Sequence, residues 1–460
     1  HVASLRRKAP DPGVELSLAD AQARGIVAGD WVIVRTRDGE ARLRARLDPT
    51  LPTGTVIAEF GWWEACTPLG RSGAAPTGTT TRNINAALSD RDRDPISGSV
   101  PLRAVACDVI RDDVASRGWW TGERTFHVMS SRREAADVLA LSLAPADGGP
   151  LPDFLPGQHV QVTEQETQLS RSYSLTGAND NPAEFEIAVR RIGAGGEGAP
   201  PGRMSARLHA LEPGSIVTLQ PPAGVFTPPL TGKRPVILIA AGVGITPFVG
   251  YLAALARTAP EQCPPSVELV YICRTRSEQP FGDWLQKIAG RIPGLRMVRV
   301  FTRPGANERP GRDYDHAGRP DITALGLAAS ASRPLVYLCG PDSFVTETKA
   351  ALVGAGLPGF DIFSEVFVSQ IEIPSDLAPR RILLERSGRS FDWSVQAGSL
   401  LDAAEAAGLS LPSGCRSGQC ESCCLRVVSG TASHLSPYDG APDSCLTCCA
   451  VPLSDLVLDA

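Results

Sequence analysis

The sequence predicts a multidomain protein that combines β-rich domains with one α/β domain, and three observations support this fold class. The chain has 460 residues, which is enough for three or four domains. From about Trp120 to Pro222, short alternating strands separated by Gly and Pro are typical of a closed antiparallel barrel. From Arg234 onward, buried strands alternate with helices, which indicates a doubly wound parallel sheet.

Composition limits the classes of protein to which the chain can belong. It is 43% hydrophobic and 21% charged, as in soluble globular proteins, and its net charge of −5 gives no reason to expect binding to nucleic acid or an anionic membrane. No apolar run approaches the roughly 18 residues that span a bilayer. Seven of the 12 cysteines lie between Cys415 and Cys449, which favours metal ligation and a cytoplasmic location. Because the chain begins with His1, we expect it to be N-terminally incomplete.

The first predicted domain covers residues 1–112. Its residues 19–47 predict a short helix and two alternating strands, with a hairpin turn at Asp38-Gly39 between the strands. This pattern indicates a small β-barrel and by itself assigns no function.

Sequence motifs in this domain resemble the C-terminal, molybdopterin-dinucleotide-binding domain of molybdenum oxidoreductases related to dimethyl sulfoxide reductase and formate dehydrogenase. The motifs include Gly61-Trp62-Trp63 and Asn83-Ile84-Asn85. The resemblance implies that Asn83 and Asn85 contact the pterin dinucleotide. It also implies that molybdopterin guanine dinucleotide is bound only in an intact, longer protein that includes the molybdenum-binding body, so we assign no molybdenum chemistry to this chain.

The predicted antiparallel barrel, residues 119–229, contains two groups of candidate binding residues. On one predicted strand, Arg171 and Tyr173 share a face and Ser174 lies on the other. A cation for a phosphate, a flat ring for an isoalloxazine and a hydroxyl for a ring nitrogen suit a flavin site, to which Ser172 also belongs. Gly202 and Ser205 precede a short helix whose N-terminal amides can hold a pyrophosphate.

These motifs, followed by Pro222-Ala-Gly-Val-Phe226, resemble the ferredoxin-NADP reductase superfamily, above all the reductase part of flavohaemoglobins. Flavohaemoglobin reductases bind FAD, whereas phthalate-dioxygenase-type reductases bind FMN. We expect FAD, with FMN as the alternative. Three barrel-region histidines, His127, His159 and His209, are interpreted as barrel or helix-surface residues and not as catalysts.

Residues 230–370 predict a nucleotide-binding domain. Gly242 and Gly244 follow a buried strand and allow close approach of a pyrophosphate, while Thr246 and Pro247 begin the next helix. Arg274, with its neighbour Arg276, would read a ribose 2′-phosphate if the nucleotide were NADPH. We leave both nucleotides open and prefer NADH.

The end of this domain again resembles the same superfamily, through Cys339-Gly340-Pro341 and Phe363-Ser-Glu-Val-Phe367. The resemblance places Cys339 and Gly340 near the nicotinamide, lets Phe367 shield the flavin face and assigns a role to Glu365. With Ser174, the residues Cys339, Glu365 and Phe367 are our catalytic candidates. A small buried core residue is the alternative interpretation of Cys339.

The last predicted domain, residues 379–460, carries a C-x4-C-x2-C array. Cys415, Cys420 and Cys423 have the spacing of three ligands of a [2Fe-2S] cluster, and a structural zinc site or a disulfide fits this spacing poorly. By count alone, the fourth ligand is Cys445, Cys448 or Cys449.

The whole segment resembles plant-type ferredoxins, which implies a β-grasp fold. Their last ligand lies in a Leu-Thr-Cys step followed by a Pro, which matches residues 446–452 and selects Cys448 as the fourth ligand.

Together these expectations describe an NAD(P)H-dependent flavin and iron–sulfur oxidoreductase. We expect it to pass electrons between a pyridine nucleotide and a molybdopterin catalytic body, upstream in the same polypeptide or in a separate subunit, in a nitrate-reductase-like or formate-dehydrogenase-like reaction. The alternatives are a reductase that feeds a Rieske-type or haem oxygenase, and a passive electron carrier.

Overall fold

The computed structural model describes most of the chain in segments. The described residues are 11–61, 65–66, 71–72, 81–91, 93–100, 105–167, 169–177, 183–193, 202–322, 333–367, 373–374, 376–409, 411–414, 416, 418, 423–435, 438 and 440–460. Within these segments, no helix has both the length and the apolar character needed to cross a bilayer.

The first part of the chain forms a five-stranded mixed sheet. Its buried face follows from the alternation in one strand, where Ala41, Leu43 and Ala45 are buried and the intervening arginines are not. The strands pair in the order β4-β1-β3-β2-β7, and a separate two-stranded ladder joins β5 to β6. The elements are β1 (Gly13–Leu16), α1 (Leu18–Ala23), β2 (Trp31–Arg35), β3 (Glu40–Leu47), β4 (Val56–Ala58), β5 (Ala65–Cys66), β6 (Arg71–Ser72) and β7 (Asp108–Arg111).

The segment that follows this sheet packs against it. The backbone N–H of Trp31 donates to Ser116 Oγ at 2.8 Å, and that hydroxyl donates to the Trp31 carbonyl at 3.1 Å. The Arg44 guanidinium lies 4.1 Å from the Trp31 ring centroid and 4.4 Å from that of Trp119. These contacts fix the first sheet against the start of the next domain.

The second part of the chain is the predicted antiparallel barrel. Six strands pair in the order β11-β10-β13-β8-β9-β12, and an antiparallel bridge between Leu175 and Ile187 brings the two outer strands together. Phe126 and Phe185 stack inside it with ring centroids 5.9 Å apart. The elements are β8 (Arg124–Ala135), β9 (Val138–Pro145), β10 (His159–Glu164), β11 (Ser170–Ser174), β12 (Phe185–Arg190), α2 (Arg203–His209) and β13 (Ile216–Leu219).

The third part is the predicted parallel sheet, with strand order β17-β16-β15-β14-β18-β19. The chain leaves β14 in one direction and returns to its other side at β18, so the switch point of the sheet lies between these two strands. Its core also includes Val138 and Phe226 of the barrel, which shows that the two domains pack together. The elements are β14 (Val236–Ala241), α3 (Thr246–Leu255), β15 (Val267–Cys273), α4 (Gly282–Ala289), β16 (Leu295–Phe301), β17 (His316–Ala317), β18 (Leu335–Gly340), α5 (Asp342–Gly354) and β19 (Ile362–Val366).

The last part is a mixed sheet with one helix, which agrees with the predicted β-grasp fold. The strands pair in the order β21-β20-β26-β22-β24, beside a β23-β25 ladder. Ser399 and Asp402 form a reciprocal capping box at the start of the helix, and Trp393 is completely buried in the core. The elements are β20 (Arg380–Leu384), β21 (Arg389–Trp393), α6 (Leu400–Ala406), β22 (Cys424–Ser429), β23 (Ala432–His434), β24 (Ser444–Leu446), β25 (Ala450–Pro452) and β26 (Leu456–Leu458).

The joint before the barrel provides a stability test. Gly118 has a φ of +73°, and an added Cβ would lie 2.4 Å from the carbonyl carbon of Leu151. Gly122 has a φ of +70°, but a Cβ there would meet nothing within 4 Å. We expect Gly122→Ala to cost about 1 kcal/mol of folding free energy through its backbone conformation alone, and Gly118→Ala about 2–4 kcal/mol.

Urea unfolding followed by tryptophan fluorescence measures both variants, since Trp119 and Trp120 adjoin the joint. Equal losses in the two variants would contradict the tight packing of Gly118 on Leu151.

Candidate functional site

The switch point of the parallel sheet is built from glycines with different surroundings. Gly242 has a φ of +55°, and a Cβ placed on it would meet nothing within 4 Å. In contrast, a Cβ on Gly244 would lie 2.2 Å from the Cys339 carbonyl oxygen, and one on Gly340 would lie 2.9 Å from the Ala241 Cβ. Gly244 and Gly340 therefore close the ends of β14 and β18 against each other, while Gly242 faces open space where a nucleotide can bind.

The start of α3 completes this turn. Thr246 is buried, and its hydroxyl donates to the Val243 carbonyl at 3.1 Å. Pro247 occupies the first turn of the helix, where its missing N–H costs no hydrogen bond. Thr246 thus stabilises the turn through its hydroxyl, and Pro247 stabilises it through its restricted backbone.

Strand β11 carries two buried hydroxyls that have no hydrogen-bond partner among the described residues. These are Ser172 Oγ and Ser174 Oγ. Ser170 lies on the same face two residues earlier, and its hydroxyl accepts a hydrogen bond from Gln161 Nε2 at 2.7 Å. A buried hydroxyl without a partner costs about 1–3 kcal/mol, so this face fits a polar ligand that would bond to both serines.

Two further residues of β11, Tyr173 and Arg171, are largely buried. Burial raises the pKa of the Tyr173 phenol well above its usual value, so the phenol stays neutral. Burial lowers the pKa of the Arg171 guanidinium, which therefore gains from an anionic partner. A phosphate group would be such a partner.

One residue that the sequence assigned to the barrel lies beside the catalytic candidates. His159 pairs across the ladder with Ser174, and its Nδ1 lies 3.9 Å from Glu365 Oε1. Burial lowers the pKa of His159 to about 4, so the imidazole is neutral at pH 7. The signal that could have found it is the strand register, which the sequence does not show.

Cys339 and Glu365 are paired on neighbouring strands β18 and β19. Burial and the negative charge of Glu365 raise the pKa of the Cys339 thiol well above its usual value. This shift favours the protonated thiol, which is the less nucleophilic form. Phe367, which follows β19, is partly buried and packs against the core of the nucleotide-binding domain.

Gly202 and Ser205 lie together at the start of α2. The Ser205 hydroxyl donates to the Gly202 carbonyl at 2.9 Å and accepts from the backbone N–H of Ile192 at 3.1 Å. Its direct effect is thus to hold the turn before the helix. The pyrophosphate role of these residues stays a prediction.

The two arginines after β15 both have acidic neighbours. Arg276 Nη1 lies 2.6 Å from Asp313 Oδ1, and Arg274 Nη1 lies 3.6 Å from Glu278 Oε2. The Arg274 side chain is 60% exposed. The Arg276 guanidinium is therefore already used in an ion pair within the protein. This argues against a site in which it binds the ribose 2′-phosphate of NADPH.

In the first domain, Asn83 caps a short 3-10 helix at residues 84–87. Its Oδ1 accepts a hydrogen bond from the Asn85 backbone N–H at 3.2 Å. Both residues lie at a turn that borders the sheet, and their contact with a pterin dinucleotide stays a prediction. Trp62 and Trp63 lie outside the described residues.

The cysteine site is described in part. Cys423 and Cys448 are buried, and their Sγ atoms lie 3.1 Å apart, while Cys449 Sγ lies 3.2 Å from Cys448 Sγ. The predicted ligands Cys415 and Cys420 lie outside the described residues. Among the residues that are described, no group of three or more His, Cys, Asp or Glu side chains could hold a metal ion.

The arrangement of the described thiols fits a metal cluster. Cys423, Cys424, Cys445, Cys448 and Cys449 are free thiols, so Cys423 and Cys448 approach each other without forming a disulfide. The Thr447 hydroxyl donates to the Cys423 carbonyl at 3.1 Å, which fixes the two thiol-bearing segments together. Cys424 points elsewhere, with its Sγ 3.5 Å from the Tyr438 hydroxyl.

Four family models match the chain in succession. A molydopterin dinucleotide binding domain matches residues 1–106, and an oxidoreductase FAD-binding domain matches residues 127–227. An oxidoreductase NAD-binding domain matches residues 238–350, and a 2Fe-2S iron-sulfur cluster binding domain matches residues 382–453. These matches define an NAD(P)H-dependent electron-transfer oxidoreductase with FAD and [2Fe-2S] domains, and they confirm the predicted cofactors.

More specifically, the part of the chain that contains the FAD-binding and NAD-binding domains is similar to flavohemoproteins, and the same chain carries a molybdopterin-dinucleotide-binding domain. The flavohemoprotein of Bordetella pertussis is 36% identical over 260 residues, which cover 55% of this chain and 63% of that protein. The flavohemoprotein of Rhizobium meliloti is 32% identical over 255 residues, which cover 54% and 62%. The chain thus spans less than two thirds of the length of these relatives.

Two solved structures have a similar fold. Phthalate dioxygenase reductase matches with a TM-score of 0.55 and 24% identity, over 74% of this chain and 98% of that chain. An intact type IV self-sufficient cytochrome P450 monooxygenase matches with a TM-score of 0.51 and 23% identity, over 77% and 46%. Both likenesses concern the fold alone.

We predict different outcomes for two neighbouring thiol positions. Cys448→Ser should lose nearly all bound iron and sulfide, because it removes a soft ligand. Cys424→Ser should keep the cluster, because this thiol contacts Tyr438 instead. Iron and sulfide analysis with visible absorbance tests both variants, and cluster retention in Cys448→Ser would reassign the fourth ligand to Cys445 or Cys449.

A second prediction concerns pH and His159. Between its usual pKa of 6.5 and its folded value of about 4, the unfolded chain binds a proton that the folded chain does not. Stability is therefore lost as the pH falls through this window, by about 1–2 kcal/mol at pH 5. His159→Gln should lose less stability than the native protein between pH 8 and pH 5.

Chemical denaturation at the two pH values measures this difference. The values at pH 8, where the imidazole is neutral in both states, give the packing cost of the substitution alone. An unchanged pH dependence in His159→Gln would contradict the prediction.

Proposed function

We propose that this protein passes electrons between a pyridine nucleotide and a molybdopterin catalytic body, in a nitrate-reductase-like or formate-dehydrogenase-like reaction. That body lies upstream in the same polypeptide or in a separate subunit. The observation that carries the proposal is the match of residues 1–106 to a molydopterin dinucleotide binding domain, in one chain with flavin, nucleotide and iron–sulfur domains. The contacts of Ser116 and Trp119 with the first sheet support a fixed orientation between this domain and the reductase.

The proposed organisation has four domains. We assign residues 1–112 to the molybdopterin-dinucleotide-binding domain, 119–229 to the flavin barrel, 230–370 to the nucleotide-binding domain and 379–460 to the ferredoxin-like domain. Because thiolate ligands persist in a reducing compartment and the five described cysteines from Cys423 to Cys449 are free, we place the protein in the cytoplasm.

We propose that β11 holds the flavin, with residues from both faces of the strand. When bound, FAD accepts two electrons from a nicotinamide nucleotide and releases them one at a time to a [2Fe-2S] cluster. The Ser172 and Ser174 hydroxyls would gain partners that the described residues do not provide, and the Arg171 guanidinium would neutralise a phosphate. Tyr173 would pack along the ring system. Gly202 and Ser205 would shape the turn that receives the pyrophosphate.

The nucleotide would bind at the switch point of the parallel sheet. The residues proposed to hold it are Gly242, Gly244, Thr246, Pro247, Arg274 and Gly340. Ser174, Cys339, Glu365 and Phe367 would border the nicotinamide and flavin rings. Since Arg276 is paired with Asp313, we favour NADH over NADPH.

The cluster would be held by Cys415, Cys420, Cys423 and Cys448. The 3.1 Å contact between the Cys423 and Cys448 sulfurs supports this choice for the fourth ligand. Asn83 and Asn85 remain the proposed pterin contacts of the first domain.

A second candidate function is a reductase component that feeds a Rieske-type or haem oxygenase. It is favoured by the fold likeness to phthalate dioxygenase reductase, which extends over 74% of this chain. In that case, the first domain would have no catalytic partner.

The main test combines this protein with the proposed molybdenum-binding body, either in one polypeptide or as a separate subunit. We expect NADH-dependent reduction of nitrate, or formate-dependent reduction of NAD, together with reduction of the iron–sulfur cluster. Electron transfer to an added Rieske-type oxygenase, without pyridine-nucleotide-dependent turnover of any oxo-substrate, would overturn the proposal and favour the second candidate.

The flavin face can be tested with two serines of one strand. Ser174→Ala should slow reduction of the flavin by NADH about tenfold, because one hydrogen bond to the ligand is lost, yet it should not destabilise the flavin-free protein. Ser170→Ala should leave the rate of flavin reduction unchanged and should destabilise the flavin-free protein, because the Ser170 hydroxyl already has a protein partner. Stopped-flow absorbance and thermal unfolding of the flavin-free proteins measure the two effects. A loss of stability without slower reduction in Ser174→Ala would contradict the assignment.

A further inference from the structure

Two arginines share one carboxylate where the ferredoxin-like domain meets the flavin barrel. Arg171 Nη1 of β11 lies 4.0 Å from Glu405 Oε1 of α6. The same Glu405 oxygen forms an ion pair with Arg416, which directly follows the predicted ligand Cys415. Arg416 Nη1 also lies 3.2 Å from Asp402 Oδ1.

This cluster is largely shielded from water. The side chains of Arg416, Glu405 and Arg171 are 12%, 20% and 32% exposed. Partly buried cations need a nearby anion, so the carboxylate of Glu405 offsets the burial of both arginines.

The backbone gives an independent reason to assign a role to the Arg416 side chain. Its φ of +57° lies in the left-handed region, which favours glycine. A non-glycine residue there costs about 1 kcal/mol. The chain places an arginine at this position, and the ion pairs with Asp402 and Glu405 offset that cost.

Of the two carboxylates, Glu405 forms the ion pair with Arg171, whereas Asp402 acts on Arg171 through its charge alone. Asp402 caps its own helix, since its Oδ2 accepts from the Ser399 backbone N–H at 3.1 Å. Glu405 lies one turn further along α6 and faces Arg171 on the flavin strand. A substitution of Asp402 would therefore disturb the start of the helix. A substitution of Glu405 would instead change the contact between the two domains.

We propose that Glu405 and Arg416 are positioning residues that dock the iron–sulfur domain on the flavin-binding strand. Because Glu405 shares Arg171 with the proposed flavin phosphate, the docking contact lies directly beside the phosphate site. The inference deepens the proposed function and rests on it. Neither residue touches the reacting atoms, and their effect is on the distance and orientation between flavin and cluster.

The experiment compares two successive steps in the FAD- and cluster-loaded protein. Glu405→Gln removes the shared charge at nearly constant volume. We expect reduction of the flavin by NADH to keep its native rate, while reduction of the cluster by the flavin slows about fivefold. Raising the ionic strength should slow this second step in the native protein but only weakly in the variant, because salt screens the contact. Stopped-flow absorbance separates the two steps.

Further variants keep the result interpretable. Arg416→Gly removes the side chain but suits the left-handed backbone, so it should fold and slow the same step. The double variant should be no slower than the slower single variant, because both act through one contact. Glu385→Gln, an exposed carboxylate of the same domain, is the matched control and should change neither step.

Two further measurements do not depend on electron transfer. In small-angle scattering of the flavin-free protein, Glu405→Gln should increase the radius of gyration, and flavin affinity measured by fluorescence quenching should not weaken. Unchanged cluster reduction in Glu405→Gln, or equal slowing of both steps, would overturn the inference. If the native protein bound no flavin or NADH did not reduce it, the proposed function itself would fail, which is a distinct result.

Discussion

The close contact between the ends of β14 and β18 is the constraint on which the rest of the structure depends. Gly244 lies so near the Cys339 carbonyl that no side chain fits between them. This contact fixes the turn in which Gly242 faces open space, and it sets the position of Cys339 opposite Glu365 on β19. The parallel sheet thus delivers a nucleotide-binding turn and two catalytic candidates to one edge.

Apolar packing joins the flavin barrel to the parallel sheet, and charged side chains join the barrel to the ferredoxin-like domain. Val138 and Phe226 belong to the same core as the parallel sheet, so the two domains behave as one packed unit. Strand β11 then presents Ser172 and Ser174, whose hydroxyls have no partner in the part of the chain that the structure describes, and it presents Arg171 toward the ferredoxin-like domain. A single strand therefore faces both neighbours in the proposed electron path.

Much of this organisation can be predicted from local sequence patterns. The features that could not be predicted depend on contacts between residues far apart in the chain. The Gly-rich turn at Gly242 and the alternation in the barrel strands are recognisable because they depend on residues close in sequence. His159 lies in barrel strand β10, as the sequence suggested, but its pairing with Ser174 and its approach to Glu365 depend on strand register and domain packing. Glu405 and Arg416 were not singled out, because their contact crosses two domains.

The sequence by itself determined the four domains, their order and the residue types available for flavin, nucleotide and cluster. It did so because ligand spacing and strand alternation are local properties of the chain. Only the tertiary structure decided which side chains meet: the Cys423 and Cys448 sulfurs, the His159 and Glu365 pair, and the carboxylate shared by Arg171 and Arg416. These encounters join residues that are far apart in sequence, and they arise from strand register and domain packing, which no local pattern encodes.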